Sequence, residues 1–500
     1  MTALAKAGRR ADLQLGALLL LATLVWRAST FGDTNLHVDD SFYFLVGQRM
    51  HQGLLPYVDV WDRKPFGLFF LYYLIAGVST SVVAYQLAAS LSVAATALVI
   101  ARMVRALAPA GTLARQGALL AGLVYVMMLG PLEGFGGQAP VFYNLLMALA
   151  GWRLLRSGAG LARGRAGLGV YAAMALCGLA IWMKQTCLFE AGWFGLWVLA
   201  RLRAGGLGWG GLARRAGVFM ALGAGPLLAT GLAYAALGHG GEWWHAMVLA
   251  NLAKAHEPAA RTAGLALALG LRIAPLMGVA LWGLVGPRRP DAGLLVGWVA
   301  AAGLGFAAVP NCYAHYALPW LVPLCVAAGL VMAREGLGRV TGAALGVWAI
   351  VWYTPPARAW TRHSIAAMDT LAAAVRAHDQ GGGLLVFDGP PYLYALTGER
   401  FLSPLVFPHH LNHAIERNVS HLPTDAEIDR ILAARPGVVV MAPAPRNLPA
   451  NAYGWQKVSA YVHRQCRQVA RVAVYEEGGV ALIDVWGDCP PGAAPAAHRG

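Results

Sequence analysis

Two acidic and two basic residues near the N-terminus have types suited to chemistry on a phosphate ester. Asp39 and Asp40 are adjacent, and Arg63 and Lys64 follow further along the chain. A carboxylate can act as a general base on a hydroxyl that attacks a sugar carbon, whereas an acidic pair can instead hold a divalent cation. Cations offset the charge that builds on a departing phosphate. The pattern predicts Asp39 and Asp40 as catalytic or metal-binding residues, and Arg63 and Lys64 as phosphate-binding residues.

Both pairs also fit plainer roles. Asp39 and Asp40 stand at the start of a predicted helix that runs to Gln52, where an N-cap and its neighbour favour acidic residues. Arg63 and Lys64 precede an amphipathic stretch at 65–78, which they could anchor to anionic lipid headgroups. These alternatives stay open at the level of the sequence.

The composition requires lipid around most of the chain. Its 500 residues are 58% hydrophobic and only 13% charged, which is too apolar for one soluble core. A formal charge of +15 would suggest nucleic acid in a soluble protein, but here the arginines cluster between apolar runs and act as topology signals. We predict an α-helical polytopic membrane protein that has no nucleic-acid partner.

Eleven apolar segments are long enough to cross a bilayer. They lie near residues 14–31, 80–104, 114–131, 139–157, 167–184, 186–202, 216–236, 263–285, 291–309, 316–333 and 338–355. Basic residues fall in alternate gaps, namely Lys6, Arg9, Arg10, Arg102, Arg105, Arg115, Arg153, Arg156, Arg163, Arg165, Arg201, Arg203, Arg214, Arg215, Arg288, Arg289, Arg334 and Arg339. The positive-inside rule makes those gaps cytoplasmic and places the tail after Pro356 outside. The first segment lacks a clear signal-peptide cleavage site, so we expect a retained anchor.

Residues 357–500 predict a small α/β domain on the outer face, separate from a transmembrane domain at 1–356 whose first outer loop is 32–65. Strand-like runs at 384–387, 438–441, 472–475 and 480–484 alternate with helical stretches around 364–378, 425–434 and 456–468. An oxidising periplasm would permit a disulfide between Cys466 and Cys489, or the two thiols stay apart. No cysteine has zinc-site spacing.

Further polar residues gather in gaps on the outward side. They are Glu133 and Gln138, then Lys184, Gln185 and Glu190, then His245, Lys254, His256 and Glu257 in a long loop at 237–262, and finally His315 and Tyr316. Ionisable groups at membrane depth usually face a polar cavity, which makes Lys184 and Glu190 candidates for one. A structural ion pair between these two residues is the alternative.

The first outer loop carries a recognisable arrangement. After the first span come the Asp39-Asp40 pair, a short helix ending in Gly53-Leu-Leu-Pro-Tyr57, and Lys64-Pro65 before a hydrophobic stretch. This arrangement resembles the GT-C membrane glycosyltransferases, a group that includes protein O-mannosyltransferases and lipid A aminoarabinose transferases. The resemblance implies that Asp39 lies in the catalytic site and that Lys64 contacts a lipid phosphate. Asp40 stands where the family usually has Glu, and Pro65-Phe66 where it often has two prolines.

The expected activity is inverting transfer of a sugar from a polyprenyl-phosphate donor to an envelope lipid, glycan or protein, at the periplasmic side of a bacterial inner membrane. Tyr43, Tyr57, Asp62, Lys184 and the outward polar residues Glu133, Gln138, Gln185, Glu190, His315 and Tyr316 are the further substrate-binding candidates, with Lys184 assigned to the donor phosphate. No Gly-x-Gly-x-x-Gly nucleotide loop occurs in the outer domain, so we expect no nucleotide cofactor. A lipid or solute transporter and a non-catalytic assembly protein are the alternatives. The sugar, acceptor, metal dependence and oligomeric state stay open.

Overall fold

Apolar helices make up most of the first 355 residues. The computed structural model describes residues 3–253, 255, 257–285, 292–309, 311–446, 448–476 and 479–490, and of residues 3–9 the backbone only. Lys254, His256, Arg288 and Arg289, which the sequence singles out, lie outside the described residues, as do the side chains of Lys6 and Arg9. The helices up to residue 355 are α1 Ala3–Arg27, α2 Val38–Met50, α3 Phe66–Val78, α4 Val82–Leu107, α5 Thr112–Met128, α6 Ala139–Leu161, α7 Leu168–Met183, α8 Cys187–Ala204, α9 Trp209–Ala236, α10 Gly240–Trp244, α11 Ala250–Leu252, α12 Ala259–Leu284, α13 Ala292–Ala307, α14 Leu321–Met332 and α15 Leu337–Trp352.

Each of the eleven predicted spans overlaps one of these helices. By length and hydropathy, five helices in the described part of the chain could cross a membrane: Arg10–Thr30, Val82–Leu107, Trp209–Ala236, Ala259–Leu284 and Ala314–Met332. Shorter apolar helices accompany them, so the number of spans stays a prediction. The predicted loop at 237–262 is wrong over its first half, because residues 240–252 are helical.

Two compact units divide the chain. The helical unit comprises Met1–Ser29, Gln86–Thr230 and Glu257–Pro355, and the mixed unit comprises Thr30–Tyr85, Gly231–His256 and Pro356–Gly500. In the helical unit, small residues let helices approach closely. A Cβ atom on Gly283 of α12 would meet the carbonyl oxygen of Ala327 of α14 at 2.0 Å. The predicted domain division at 356/357 assigns the first outer loop to the membrane domain and stays a prediction.

The mixed unit contains a four-stranded sheet. Its remaining elements are α16 Arg358–His378, β1 Leu384–Val386, α17 Leu393–Thr397, α18 His409–Asn412, α19 Thr424–Ala433, β2 Val438–Met441, α20 Ala452–Gln465, β3 Arg467–Glu476 and β4 Gly479–Gly487. The strand order is β1-β2-β4-β3, with β1 and β2 parallel and the other pairs antiparallel. Val438, Val439 and Val440 are fully buried, as expected for a strand covered on both faces.

Two expectations for this region are settled. The helix predicted at 456–468 ends at Gln465, because residues from Arg467 onward pair with β4 instead. Cys466 and Cys489 form a disulfide. It joins the residue directly before β3 to the second residue after the end of β4, and so closes the hairpin at its open end.

Candidate active site

The acidic pair lies in the first turn of α2. His37 occupies the N-cap position, and its Nδ1 atom accepts a hydrogen bond from the backbone N–H of Asp39 at 3.1 Å. The interpretation of Asp39 and Asp40 as an N-cap and its neighbour is therefore wrong. Asp40 is fully buried, with Oδ1 3.9 Å from His37 Nδ1. The positive end of the helix dipole favours both carboxylates at this place.

Tyr43 contacts both an acidic and a basic candidate. One turn along α2 from Asp39, its hydroxyl donates to Asp39 Oδ2 at 3.1 Å. The Lys64 ammonium nitrogen lies 5.2 Å from the centroid of the Tyr43 ring, within the range of a cation–π interaction. Burial, together with the charge of Asp39, raises the pKa of Tyr43 well above its ordinary value, so the hydroxyl stays a donor. One buried side chain thus holds the orientation of both groups.

Close packing of α2 on α3 keeps this arrangement in place. A Cβ atom on Gly47 of α2 would lie 2.6 Å from the carbonyl carbon of Tyr72 on α3, so only glycine fits there. Pro65 is the N-cap of α3, and Lys64 immediately precedes it. Lys64 therefore stands at the positive end of a helix dipole, where an anion is favoured.

Two neighbours fix the backbone at Lys64. Asp62 Oδ1 accepts from the Lys64 backbone N–H at 3.1 Å and lies 3.9 Å from its Nζ atom. The hydroxyl of Tyr57 donates to the Lys64 carbonyl oxygen at 2.8 Å. Tyr57 is fully buried and has a φ of 71°, a left-handed conformation that costs a non-glycine residue free energy. The loop is thus held in an unfavourable backbone conformation that presents Lys64.

Arg63 and Trp61 fasten the loop to the segment around α18. The guanidinium of Arg63 forms an ion pair with Glu416, and both side chains are largely buried. The backbone N–H of Trp61 donates to the carbonyl oxygen of Pro404 at 2.8 Å, and the Trp61 ring packs edge-on against His410. The ion pair is the role that the geometry assigns to Arg63, and its predicted phosphate contact stays a prediction.

Several outward candidates converge within the helical unit. His315 Nδ1 lies 3.0 Å from Glu133 Oε2, and the Arg272 guanidinium lies 3.8 Å from Glu133 Oε1. The His315 and Tyr316 ring centroids are 4.5 Å apart, and the Lys184 ammonium lies 5.4 Å from the Tyr316 centroid. This chain of contacts joins Glu133, His315, Tyr316 and Lys184 into one cluster.

Three other candidates of the helical unit have different surroundings. Glu190 is buried and accepts a hydrogen bond from the Trp298 indole at 2.6 Å. Gln138 is buried at the N-cap position of α6, and Gln185 lies in the turn between α7 and α8. The predicted ion pair between Lys184 and Glu190 stays a prediction, because the contact shown for Glu190 is with Trp298.

No protein-family model matches the chain, and no curated protein matches it. Among solved structures, ArnT from Cupriavidus metallidurans bound to undecaprenyl phosphate is similar, with a TM-score of 0.58 and 14% sequence identity over 94% of this chain and 97% of that chain. The chain has the fold of the GT-C membrane glycosyltransferases. The predicted fold class is therefore confirmed, and the apolar helices with this fold indicate a multi-pass membrane protein.

Two further solved structures show weaker similarity to the chain. The Archaeoglobus fulgidus oligosaccharyltransferase in the apo form gives a TM-score of 0.44 at 13% identity, over 74% of this chain and 58% of that one. The arabinosyltransferase EmbB from Mycobacterium smegmatis gives 0.43 at 15% identity, over 74% of this chain and 33% of that one.

The fourteen predicted site residues are divided equally between the two units. The mixed unit holds Asp39, Asp40, Tyr43, Tyr57, Asp62, Arg63 and Lys64, and the helical unit holds Glu133, Gln138, Lys184, Gln185, Glu190, His315 and Tyr316. Within the described residues, no group of three or more His, Cys, Asp or Glu side chains is placed to hold a metal ion. The donor set does not fit a dedicated metal centre, so a cation at Asp39 and Asp40 stays a prediction.

Sequence reasoning missed several partners of these residues. His37 stands two residues before Asp39 within the recognised arrangement, and its position before a helix start was a usable signal. Arg272 and Trp298 lie within apolar segments, where an isolated arginine or tryptophan has many roles. Glu416 is 353 residues from Arg63, so no local pattern connects them.

Proposed function

We propose that the protein transfers a sugar from a polyprenyl-phosphate donor to a hydroxyl of an envelope acceptor, with inversion at the anomeric carbon. The observation that carries this proposal is the contact of Tyr43 with both Asp39 and Lys64. A carboxylate and an ammonium group around one buried ring support their assignment as general base and phosphate-binding cation. The ArnT structure that shares the fold is bound to undecaprenyl phosphate. That ligand supports a polyprenyl-phosphate donor for this chain.

The proposed reaction is a single displacement. Asp39 takes the proton of the acceptor hydroxyl while the oxygen attacks the anomeric carbon from the face opposite the phosphate. The new carbon–oxygen bond forms as the bond to the phosphate oxygen breaks, and the electron pair leaves with the polyprenyl phosphate. Asp39 then releases the proton to water. Inversion follows because attack and departure occur on opposite faces.

Lys64 supports the departure of the phosphate. Its ammonium group and the N-terminus of α3 both supply positive potential where negative charge develops. Positioned charges of this kind are effective because they need little reorganisation during the reaction. We assign Arg63 to holding the loop through Glu416, and we keep Lys184 as a second candidate for the donor phosphate.

We further propose that the protein resides in the bacterial inner membrane with its N-terminus in the cytoplasm and residues 357–500 in the periplasm. The alternating arginine clusters support this orientation. The disulfide between Cys466 and Cys489 also supports it, since disulfides persist in oxidising compartments such as the periplasm. Cysteine accessibility labelling at positions before α1 and after α15 would test the orientation, and labelling of both ends from one side would contradict it.

Transfer from radiolabelled polyprenyl-phosphate sugars to a membrane extract tests the activity. We expect Asp39→Asn to lower kcat by about 10²- to 10⁴-fold, the usual contribution of a general base. Asp59→Asn is the matched control, because Asp59 is an exposed carboxylate of the same loop that accepts from the Leu55 N–H. Lys64→Met should lower kcat more than Lys64→Arg, which keeps the charge.

The outcomes separate the alternatives. If the wild type labels an acceptor and Asp39→Asn folds but does not, the transferase stands and the donor panel identifies the sugar. If Asp39→Asn and Asp59→Asn are equally active, Asp39 is only a first-turn carboxylate and the base assignment falls. If no donor is used while the protein moves lipid or solute, transport replaces transfer. Chelation with EDTA tests for a cation: unchanged activity contradicts one, and lost activity supports one at Asp39 and Asp40.

A further inference from the structure

A cavity of about 240 Å³ opens in the mixed unit beside the acidic pair. His37 and Val38, which directly precede Asp39 in the chain, line this cavity. Asp388, Arg446 and Glu476, which follow or end strands of the sheet, line it as well. In open α/β sheets, ligands bind outside the carboxyl ends of parallel strands, and Asp388 follows β1 while Arg446 follows the neighbouring parallel strand β2. The proposed reaction above does not use this cavity.

Asp388 is a buried carboxylate, and one of its oxygens lacks a hydrogen-bond donor among the described residues. Its side chain is 2% exposed, and its Oδ1 atom accepts from Arg446 at 2.8 Å and 3.3 Å. Its Oδ2 atom is buried and has no hydrogen-bond partner among the described residues. Leaving a buried carboxylate oxygen unsatisfied costs free energy. Because Asp388 lines the cavity, a ligand there can supply the missing donor.

The charges of the cavity select the class of ligand. Arg446 also donates to Glu476 at 2.8 Å, so its guanidinium is shared between two carboxylates. Burial and the nearby His413 lower the pKa of His409, another lining residue, which keeps it neutral at pH 7. Two carboxylates against one guanidinium leave a net negative site. Such a site disfavours a phosphate and suits a molecule that carries hydrogen-bond donors, such as the hydroxyl groups of a sugar.

We propose that this cavity binds the sugar ring of the acceptor, with a ring hydroxyl donating to Asp388 Oδ2. The inference rests on the proposed transferase function and assigns its acceptor site. Phe407 and Pro408 supply apolar wall surface, which suits the C–H face of a sugar ring. The volume lies just below the range of drug-sized pockets, as a single ring requires. A bound ring would lie next to the turn that carries Asp39.

A structural role for Asp388 is the simpler alternative, and a matched residue tests it. Asp484 is also 2% exposed and also paired with an arginine, but Arg471 and Gln468 satisfy both of its oxygens. Asp484 does not line the cavity. Asp388→Asn and Asp484→Asn therefore lose comparable ion pairs, while only the first changes the cavity.

The experiment compares these variants as full-length protein in lipid nanodiscs. We expect Asp388→Asn to raise the half-saturating amount of acceptor extract by about tenfold or more, since a hydrogen bond to a charged group is lost. The KM for the polyprenyl-phosphate sugar should be unchanged. Saturation-transfer NMR with a panel of methyl hexopyranosides and methyl pentopyranosides should show binding to the wild type and to Asp484→Asn, and weaker binding to Asp388→Asn.

Each result has a defined meaning. If Asp388→Asn matches Asp484→Asn in both readouts, the cavity assignment is overturned even where Asp39→Asn shows that transfer is real. If glycoside binding depends on Asp388 while no donor is ever used, the sugar site stands and the transferase falls. Binding of a methyl aminohexoside alone would replace the neutral ligand by an ammonium ligand and overturn the proposed class. Should Asp388→Asn not fold, Glu476→Gln at the same cavity decides by the same readouts.

Discussion

A fall in pH should lower the stability of the docked loop that carries Lys64, and protonation of His410 sets the size of this loss. The His410 side chain lies on α18, is 5% exposed, and has its ring centroid 4.7 Å from that of Trp61. Trp61 belongs to the loop, and its backbone N–H donates to the carbonyl oxygen of Pro404. A charged imidazole at this place would have to leave its buried contact. Protonation of His410 therefore opposes docking of the loop.

The pKa of His410 sets the size of the effect. Burial lowers that pKa from 6.5 to about 4. The charges of Asp62 and Glu416 oppose this shift, and those of Arg63 and His409 add to it. Because the pKa in the folded state is depressed, the stability that depends on neutral His410 is fully present above pH 6.5 and is lost as the pH falls towards about 4. Between about pH 7.5 and about pH 4.5 the loss integrates to about 2.5 kcal/mol.

Hydrogen–deuterium exchange of peptides covering 404–412 measures the free energy of local opening at both pH values. The wild type should lose about 2.5 kcal/mol on acidification relative to His410→Gln, which has no group to protonate. His463→Gln is the matched control: the His463 ring lies 4.8 Å from that of Trp486, yet the residue is exposed to water. An identical pH dependence in wild type and His410→Gln would refute the reasoning, because it would mean that water reaches His410 in the folded protein.

Two further interactions of the loop can be tested by substitution. Tyr57→Phe removes the hydroxyl that donates to the Lys64 carbonyl oxygen, so it should cost about 1 kcal/mol of stability and raise the KM for the polyprenyl-phosphate sugar. Tyr461→Phe loses a similar hydrogen bond to the Pro436 carbonyl oxygen and should leave that KM unchanged. Equal KM values for the two variants would contradict the positioning role of Tyr57. Arg63→Met and Glu416→Gln should each destabilise the mixed unit by about 3 kcal/mol in thermal unfolding, because each leaves a largely buried partner charge. A donor KM raised by Arg63→Met but not by Glu416→Gln would instead assign Arg63 to the phosphate.

The mixed unit contains one element that the sequence predicted correctly and one whose end it predicted wrongly. The strand pattern at 438–441 predicted β2 correctly, since a short apolar run of β-branched residues is a local property. The helix predicted to reach 468 ends at Gln465, because Arg467 pairs with Gly487 of β4 and this strand pairing overrides local helical preference. Partners that lie outside the helix's own segment decide such boundaries.

The membrane-protein class, the positions of the apolar helices and the candidate roles of Asp39 and Lys64 follow from composition, charge distribution and one local arrangement of residues. These features can be predicted from the sequence because hydropathy and short motifs involve neighbouring residues. The contacts that orient or restrain the candidate site residues form only in the folded protein. Tyr43 between Asp39 and Lys64, Arg63 on Glu416, and the unsatisfied oxygen of Asp388 all depend on side chains brought together by packing, and packing is a property of the whole chain.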